Sequence, residues 1–464
     1  MRRMNRVLPF IVALLAPPVF ADGVMLPDAE RVVLENGTTL ILVENHEVPL
    51  IGLQAIFRGG AAADPAGKYG LASLFAELLE KGAGDRDAAE FADAVARVGG
   101  ELSATADVET LAISAEFMKD DAELMVELLA DMLQRPRLDA AEFRKLRDRS
   151  INLIKAAKGS DPNQLMPSYA NAFLFGDHPY GNPVGGSEDS LARLTHSDVR
   201  AYHGDALGGD RLIIAASGDF EVAAMRDELA AAFAQWRPAT GALRDVPAPS
   251  AAEGRRVYLI DKPGATQSYF YLGNVGVSRN FADRASLDLG NTVFGGRFTS
   301  MLVTELRTKS GLSYSASSRL TRHSQPGSVF IRSFTETGTT LEAIDVALAT
   351  LGRFRDSGLD AAMMQSARNY VMGQFPTQLE TARQLAGTFA LLEASGLGAS
   401  YINDYGAALA SATPESVATV IDSVYPSAEE LVFVILGDAE IIRDQVVKYG
   451  PVTEISITEP RFHP

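Results

Sequence analysis

Six histidines are spread over 464 residues, and no two stand at the i, i+4 spacing that lets one helix face grip a metal. His196 and His203 lie seven apart on an expected helix, without an acid at ligand spacing, and read as surface or packing residues. His178 precedes Pro179, Tyr180 and Gly181. Its ring has the chemistry of a ligand or base, but in that setting it reads as the residue that fixes a turn. His323 and His463 stand alone and carry no argument. Glu77 and Glu80 share a helix face, yet two carboxylates fall short of the three or four converging ligands that zinc requires. There is no cysteine, which removes thiolate ligands, disulfides and thiol nucleophiles. Ser73 has no base near it in sequence, and no G-x-S-x-G turn occurs. Arg307 and Tyr314, seven positions apart across Gly311, offer a different chemistry. A guanidinium can hold peptide carbonyls or a carboxylate, and a phenol can donate to a developing oxyanion. Equally, Arg307 can be a charge at a helix C-terminus and Tyr314 an aromatic of a strand.

These groups must be carried by elements, and the chain sets out its elements twice. RVVLENGTTLILVEN (31–45) reads as strand, Asn36-Gly37 turn and strand, and IGLQAIFRGG (51–60) as a third strand. RRVYLIDKPGATQSYFYLGNVG (255–276) again reads as paired strands, around a Pro263-Gly264 turn. Amphipathic helical patterns follow in each half, and each closes on an apolar strand ending in Gly-Asp, RLIIAASGD (211–219) and LVFVILGD (431–438). Gly218 and Gly437 lie 219 positions apart, so the repeat is a whole domain. The expected fold is therefore α+β: two similar domains, each a mostly antiparallel sheet packed against helices. Their boundaries are expected at 28–236 and 255–450, joined by a Pro-, Ala- and Gly-rich linker over 237–254. Two such halves can form one side of a clamshell.

Composition narrows the setting. A net charge of −17 argues against nucleic acid and anionic membrane as partners. Arg2, Arg3 and Arg6, the apolar run from Val7 to Ala16, and Val19-Phe20-Ala21 predict a secretory leader cleaved after Ala21, too short to span a bilayer. No later segment is long and apolar enough to span either. The expected compartment is the periplasm or the exterior.

The segment GLASLFAELLEKG (70–82) resembles the metal-binding helix of the insulinase/pitrilysin family, G-L-A-H-F-L-E-H-M-x-x-K-G, whose H-x-x-E-H is the inverted zincin motif. Gly70, Leu71, Ala72, Lys81 and Gly82 match. Ser73 and Glu77 stand where the family has its histidines, Ala76 where it has its base, and Ile154 near its third ligand. LFGDHPYGNPVGGSEDSLARLTHSDVRAYH (174–203) is similar to the segment that follows the ligand helix. NTVFGGRFTSMLVTELRTKSGLSYSASS (291–318) resembles the family's F-G-G-G-x-x-S-R-L-x-x-x-[LV]-R-x-x-x-G-L-[AS]-Y-S, with Arg297 in place of the third glycine and Met301 in place of the first arginine. The resemblance covers residues 28–445. It implies a chain with no metal and no catalytic group of its own, with Arg307 and Tyr314 reaching the substrate beside a zinc on a partner subunit that bears H-x-x-E-H. Peptides are the implied substrate, added as a strand to a sheet edge. A stand-alone peptide-binding scaffold is the alternative reading, and a metalloendopeptidase using unrecognised ligands is the third.

Overall fold

The computed structural model describes residues 24–463, so the leader expected at 1–21 lies outside the described residues. Among the described residues no helix is long and apolar enough to cross a membrane.

The chain opens with β1 (Glu30–Val33) and β2 (Thr39–Glu44), an antiparallel hairpin turned at Asn36-Gly37. Gly37 has φ +93°, a value that glycine adopts without strain. Asn36 ties the turn down by donating to the carbonyls of Phe233 and Trp236 at 2.8 and 3.1 Å. With β3 (Leu50–Arg58), β4 (Glu101–Ala106), β5 (Thr110–Met118) and β6 (Leu212–Gly218) the hairpin forms a six-stranded sheet, ordered β1-β2-β6-β3-β5-β4. A second six-stranded sheet holds β7 (Arg256–Asp261), β8 (Gln267–Val275), β9 (Ala316–Leu320), β10 (Ser328–Glu336), β11 (Val432–Gly437) and β12 (Val452–Ser456), in the order β12-β7-β11-β8-β10-β9. Five strands correspond one to one, with β2-β6-β3-β5-β4 matching β7-β11-β8-β10-β9. The sixth differs: β1 enters from the start of its half and pairs antiparallel, whereas β12 enters from the chain's end and pairs parallel. Both sheets are mostly antiparallel, as expected.

One expectation is corrected. The runs on either side of Pro263-Gly264 do not pair, because β11 lies between β7 and β8, parallel to one and antiparallel to the other. β6 enters between β2 and β3 in the same way. These inserted strands are the two Gly-Asp runs, and every residue of each is buried. A strand covered on both faces has no polar side, which is why its sequence is apolar without alternation.

The second face of each sheet is covered by the other half. Helix Ala382–Ala394 lies on the first sheet, where Leu385, Phe389 and Ala390 meet Ile41, Val43, Ile56, Ile213 and Ala215. Gly52 permits this approach, since a Cβ there would stand 2.3 Å from the Arg383 amide nitrogen. In return, helix Met166–Phe175 lies on the second sheet, with Met166, Tyr169 and Ala170 against Tyr258, Ile260, Val432, Val434 and Leu436. Each large side chain buried this way contributes about 2 kcal/mol, so the exchange holds the halves together strongly. Residues 237–254 carry no helix or strand. The second sheet runs past 450 through β12, and the tail beyond it buries Phe462 edge-on against Tyr169 at 4.9 Å.

Candidate functional site

The motif helix spans Leu71–Leu79 and starts from Gly70, whose φ of +91° turns the chain into it. Its first amides are held by a carboxylate. Asp64, 3% exposed, accepts from the N–H groups of Gly70, Leu71 and Ala72 at 2.8, 3.1 and 2.9 Å. Burial pushes the Asp64 carboxyl up to about 7, against the pull of these three donors. The helix is therefore built and anchored with Ser73, Ala76 and Glu77 at the positions where the resemblance would set a metal site.

What stands at those positions does not fit a zinc ion. Ser73 is half-buried, and Ala76 is 1% exposed in the first core among Leu74, Phe75, Leu78 and Leu79. Glu77 is ion-paired with Arg149 of the long helix Ala140–Ser160. On that same helix Ile154 packs against the cores instead of presenting an acid. An arginine–glutamate pair and an apolar contact thus join the two helices that a shared metal would otherwise bridge. Among the described residues no three metal-ligating side chains converge. Because the pair is solvent-exposed, Glu77→Gln is expected to cost no more than about 1 kcal/mol in urea denaturation; a larger loss would show the pair to be essential to the helix contact.

Glu80 points elsewhere. Its carboxylate accepts the Ala104 N–H at 2.8 Å, on β4, the edge strand of the first sheet. The two carboxylates on this helix face are therefore separately engaged and do not converge.

Five of the six histidines make a specific contact in the fold. His178 accepts from the Tyr180 N–H at 3.1 Å through Nδ1 and donates to the Pro247 carbonyl at 2.8 Å through Nε2, so it fixes its turn. His196 and His203 donate to the carbonyls of Leu138 and Leu133 at 2.6 and 2.7 Å and pack beside Phe143 and Phe75. Burial lowers the His203 pKa. His46 sits between Asp219 and Glu44, and those hydrogen bonds raise its pKa. His323, which carried no argument in sequence, lies 4.6 Å from the Tyr180 ring at a contact between the halves. Glu109 is the centre of that contact. It accepts from Tyr180 Oη at 2.6 Å, from the Ser324 N–H at 2.8 Å, and from the Ser324 hydroxyl.

Arg307 and Tyr314 are brought together. Arg307 lies in a widened helical turn, Thr304–Lys309, and Tyr314 in the loop before β9, past Gly311 with φ +67°. Tyr314 is therefore not a strand residue. The guanidinium carbon stands 4.4 Å from the Tyr314 ring centre and 4.8 Å from that of Phe298. Tyr314 is 73% exposed and Phe298 71%, the two most exposed of the exposed large apolar and aromatic side chains. Phe298 escaped the sequence reading. Its only signal was a lone aromatic in the Gly- and Thr-rich turn GGRFTS, outside any helical or strand period.

The two departures in this segment have physical explanations. Gly295 must be glycine, because a Cβ there would lie 2.3 Å from the Ser318 amide nitrogen of β9. Arg297 needs no glycine, since its φ of −139° is extended backbone, and its guanidinium donates to Ser366 at 2.9 Å. Met301 packs against the second core where the family pattern has an arginine.

Comparison with known proteins agrees with this geometry. Residues 40–188 match the family model described as insulinase (peptidase family M16), and residues 193–371 match the one described as the peptidase M16 inactive domain. A Mycobacterium leprae protein named an uncharacterized zinc protease is 27% identical over 360 residues, covering 76% of this chain and 78% of that one. The Helicobacter pylori protein named non-peptidase homolog YmxG is 23% identical over 352 residues, covering 74% of this chain and 78% of that one. The crystal structure of a peptidase M16 inactive domain from Pseudomonas fluorescens superposes with a TM-score of 0.82 at 22% identity, covering 88% of this chain and 98% of that one. Names among these relatives thus include both a protease and a non-peptidase.

Proposed function

The chain belongs to the peptidase M16 (insulinase) family, and we propose that within it this is the zinc-free, substrate-contacting subunit of a heteromeric periplasmic metallopeptidase. The observation that carries the reading is a contrast within one molecule. The motif helix is anchored by Asp64 but holds Ala76 in the core and Glu77 on Arg149, whereas Tyr314 stands exposed and stacked on a half-buried Arg307. An arginine stacked under an exposed aromatic contributes little to folding and is suited to contact.

In this reading the hydrolytic water and its metal belong to an H-x-x-E-H partner. This chain supplies the Arg307 N–H donors for a substrate carbonyl or carboxylate, and the Tyr314 hydroxyl for the oxygen on which charge develops. The peptide adds as a strand at a sheet edge, and β4 is the edge beside the motif helix. A peptide seated there displaces Glu80 from the Ala104 N–H. The leader expected at 1–21 supports export.

Co-expression with an H-x-x-E-H paralogue tests the proposal through peptide turnover. Tyr314→Phe is expected to lower kcat by about 10²-fold, the scale for losing one oxyanion donor. Arg307→Ala is expected to raise KM by roughly 10-fold. Unchanged turnover in both variants removes the substrate-contact role. Stoichiometric zinc on the isolated chain removes the zinc-free role.

A further inference from the structure

Phe298 has no evident task in folding. It is 71% exposed, in the turn between the glycine pair Gly295-Gly296 and the helix that begins at Met301, and its ring packs on the Arg307 guanidinium at 4.8 Å. An aromatic side chain carries roughly 150–250 Å² of surface, and leaving most of it in water beside a second exposed ring is unfavourable unless something covers it. The two rings restrict the guanidinium, so less of its rotamer freedom remains to be lost on binding. They also cover its faces and direct recognition to its N–H edge, where a carbonyl or carboxylate oxygen is the matching acceptor. Arg307 has no carboxylate partner among the described residues, which leaves that edge for an external acceptor.

We propose that Phe298 is a specificity-determining residue, and that the Phe298–Arg307–Tyr314 stack selects extended peptides carrying a large apolar side chain next to the carbonyl or carboxylate that Arg307 takes. The polar atom is held at the guanidinium edge and the neighbouring apolar group on the Phe298 ring. This rests on the substrate-contact reading above and names its substrate class. The chain's net charge of −17 makes a long acidic peptide a poor occupant, so the acceptor is better supplied by the backbone or by a single carboxylate.

The test uses the full mature chain and two fluorescein-labelled peptides of equal length and charge, one with Phe and Leu at alternate positions and one with Ser at those positions. Fluorescence anisotropy reads binding, and thermal unfolding of each variant reads stability. The wild type is expected to bind the apolar peptide about 10-fold tighter than the serine peptide, on the scale of a single hot-spot side chain. Phe298→Ala is expected to bring the two affinities within about 2-fold while leaving the unfolding midpoint unchanged, and Phe298→Leu to restore most of the preference. Arg307→Ala is expected to weaken both peptides alike. If Arg307→Ala weakens both while Phe298→Ala alters neither the preference nor the affinity, the specificity role is overturned and the contact reading stands. If Phe298→Ala lowers the unfolding midpoint together with the affinity, the residue is structural and the assignment again fails. If the wild type binds both peptides equally, the specificity role fails and the Arg307→Ala result alone decides the contact reading. If no variant changes binding, both fail, and a wild type that binds neither peptide overturns both and points to a surface for another subunit.

Discussion

Ala76→Glu is expected to destabilise the chain by about 3–5 kcal/mol, enough to remove much of a typical domain's stability. The position is 1% exposed, packed among Leu74, Phe75, Leu78 and Leu79 on a helix whose start is fixed by Asp64. A glutamate there must either enter the core uncharged or drive the helix off the sheet. Ser73→His, at a half-buried position on the same helix, is expected to cost about 1 kcal/mol or less. Urea denaturation of both variants reads the difference, and equal midpoints would show that the helix can turn its Ala76 face outward. The comparison bears directly on function. Restoring the three motif residues does not restore a metal centre, because Glu77→His leaves the Arg149 cation facing the site and Ile154 still supplies no acid. Metal analysis of Ser73→His/Glu77→His is expected to find well under one equivalent of zinc. On this expectation the obstacle to metal binding is distributed over two helices and their packing and does not lie in the motif alone.

How much of this could be read from residues alone differs from one feature to the next, and the differences have causes. Asn36-Gly37 announces its hairpin because a short turn is decided locally by a glycine at positive φ. Pro263-Gly264 gives an equally local signal, yet β11 is inserted from 170 residues downstream, and no periodicity within 255–276 reports that. The repeated Gly-Asp strands were legible as a pair, but their central position was not, since continuous burial is a property of the assembled sheet. At the motif helix residue type was sufficient, because alanine and isoleucine offer zinc no donor atom, and one hydroxyl and one carboxylate fall short of three or four converging ligands. At the Arg307 turn it was not. The stacking of Arg307 on Tyr314 follows from the Gly311 turn, and the recruitment of Phe298 depends on Gly295 lying against β9. Exposure, which marks Phe298 out, is absent from a sequence in which an apolar residue reads as core.

The contact between Glu109 and the β9–β10 turn was invisible for a related reason: its partners lie 215 positions apart, in different halves. Glu109→Ala is expected to cost about 3 kcal/mol, because it leaves the Tyr180 hydroxyl, on a residue 1% exposed, and the Ser324 N–H without their charged acceptor. The same carboxylate gives the protein an acid-sensitive joint. Burial alone would raise the Glu109 pKa, but the hydrogen bonds from Ser324 and Tyr180 together bring it below its ordinary 4.5. Its contribution is therefore complete above pH 4.5 and is lost as pH falls through the lower folded value. Burial holds His323 below its ordinary 6.5, so the folded state binds fewer protons there than the unfolded chain, and stability also falls as pH drops from 6.5. The two groups act in the same direction in successive pH windows. In Glu109→Ala the loss beginning near pH 6.5 should persist, since His323 stays buried, while the additional loss below pH 4.5 should flatten. Denaturation midpoints measured from pH 7 to pH 3 separate the two, and a variant whose curve runs parallel to the wild type at every pH would remove Glu109 from the acid response. The consequence reaches the proposed contact surface. β9 connects the Tyr314 loop to the turn that Glu109 holds, so loosening this joint is expected to loosen the strand that anchors the C-terminal end of the Tyr314 loop.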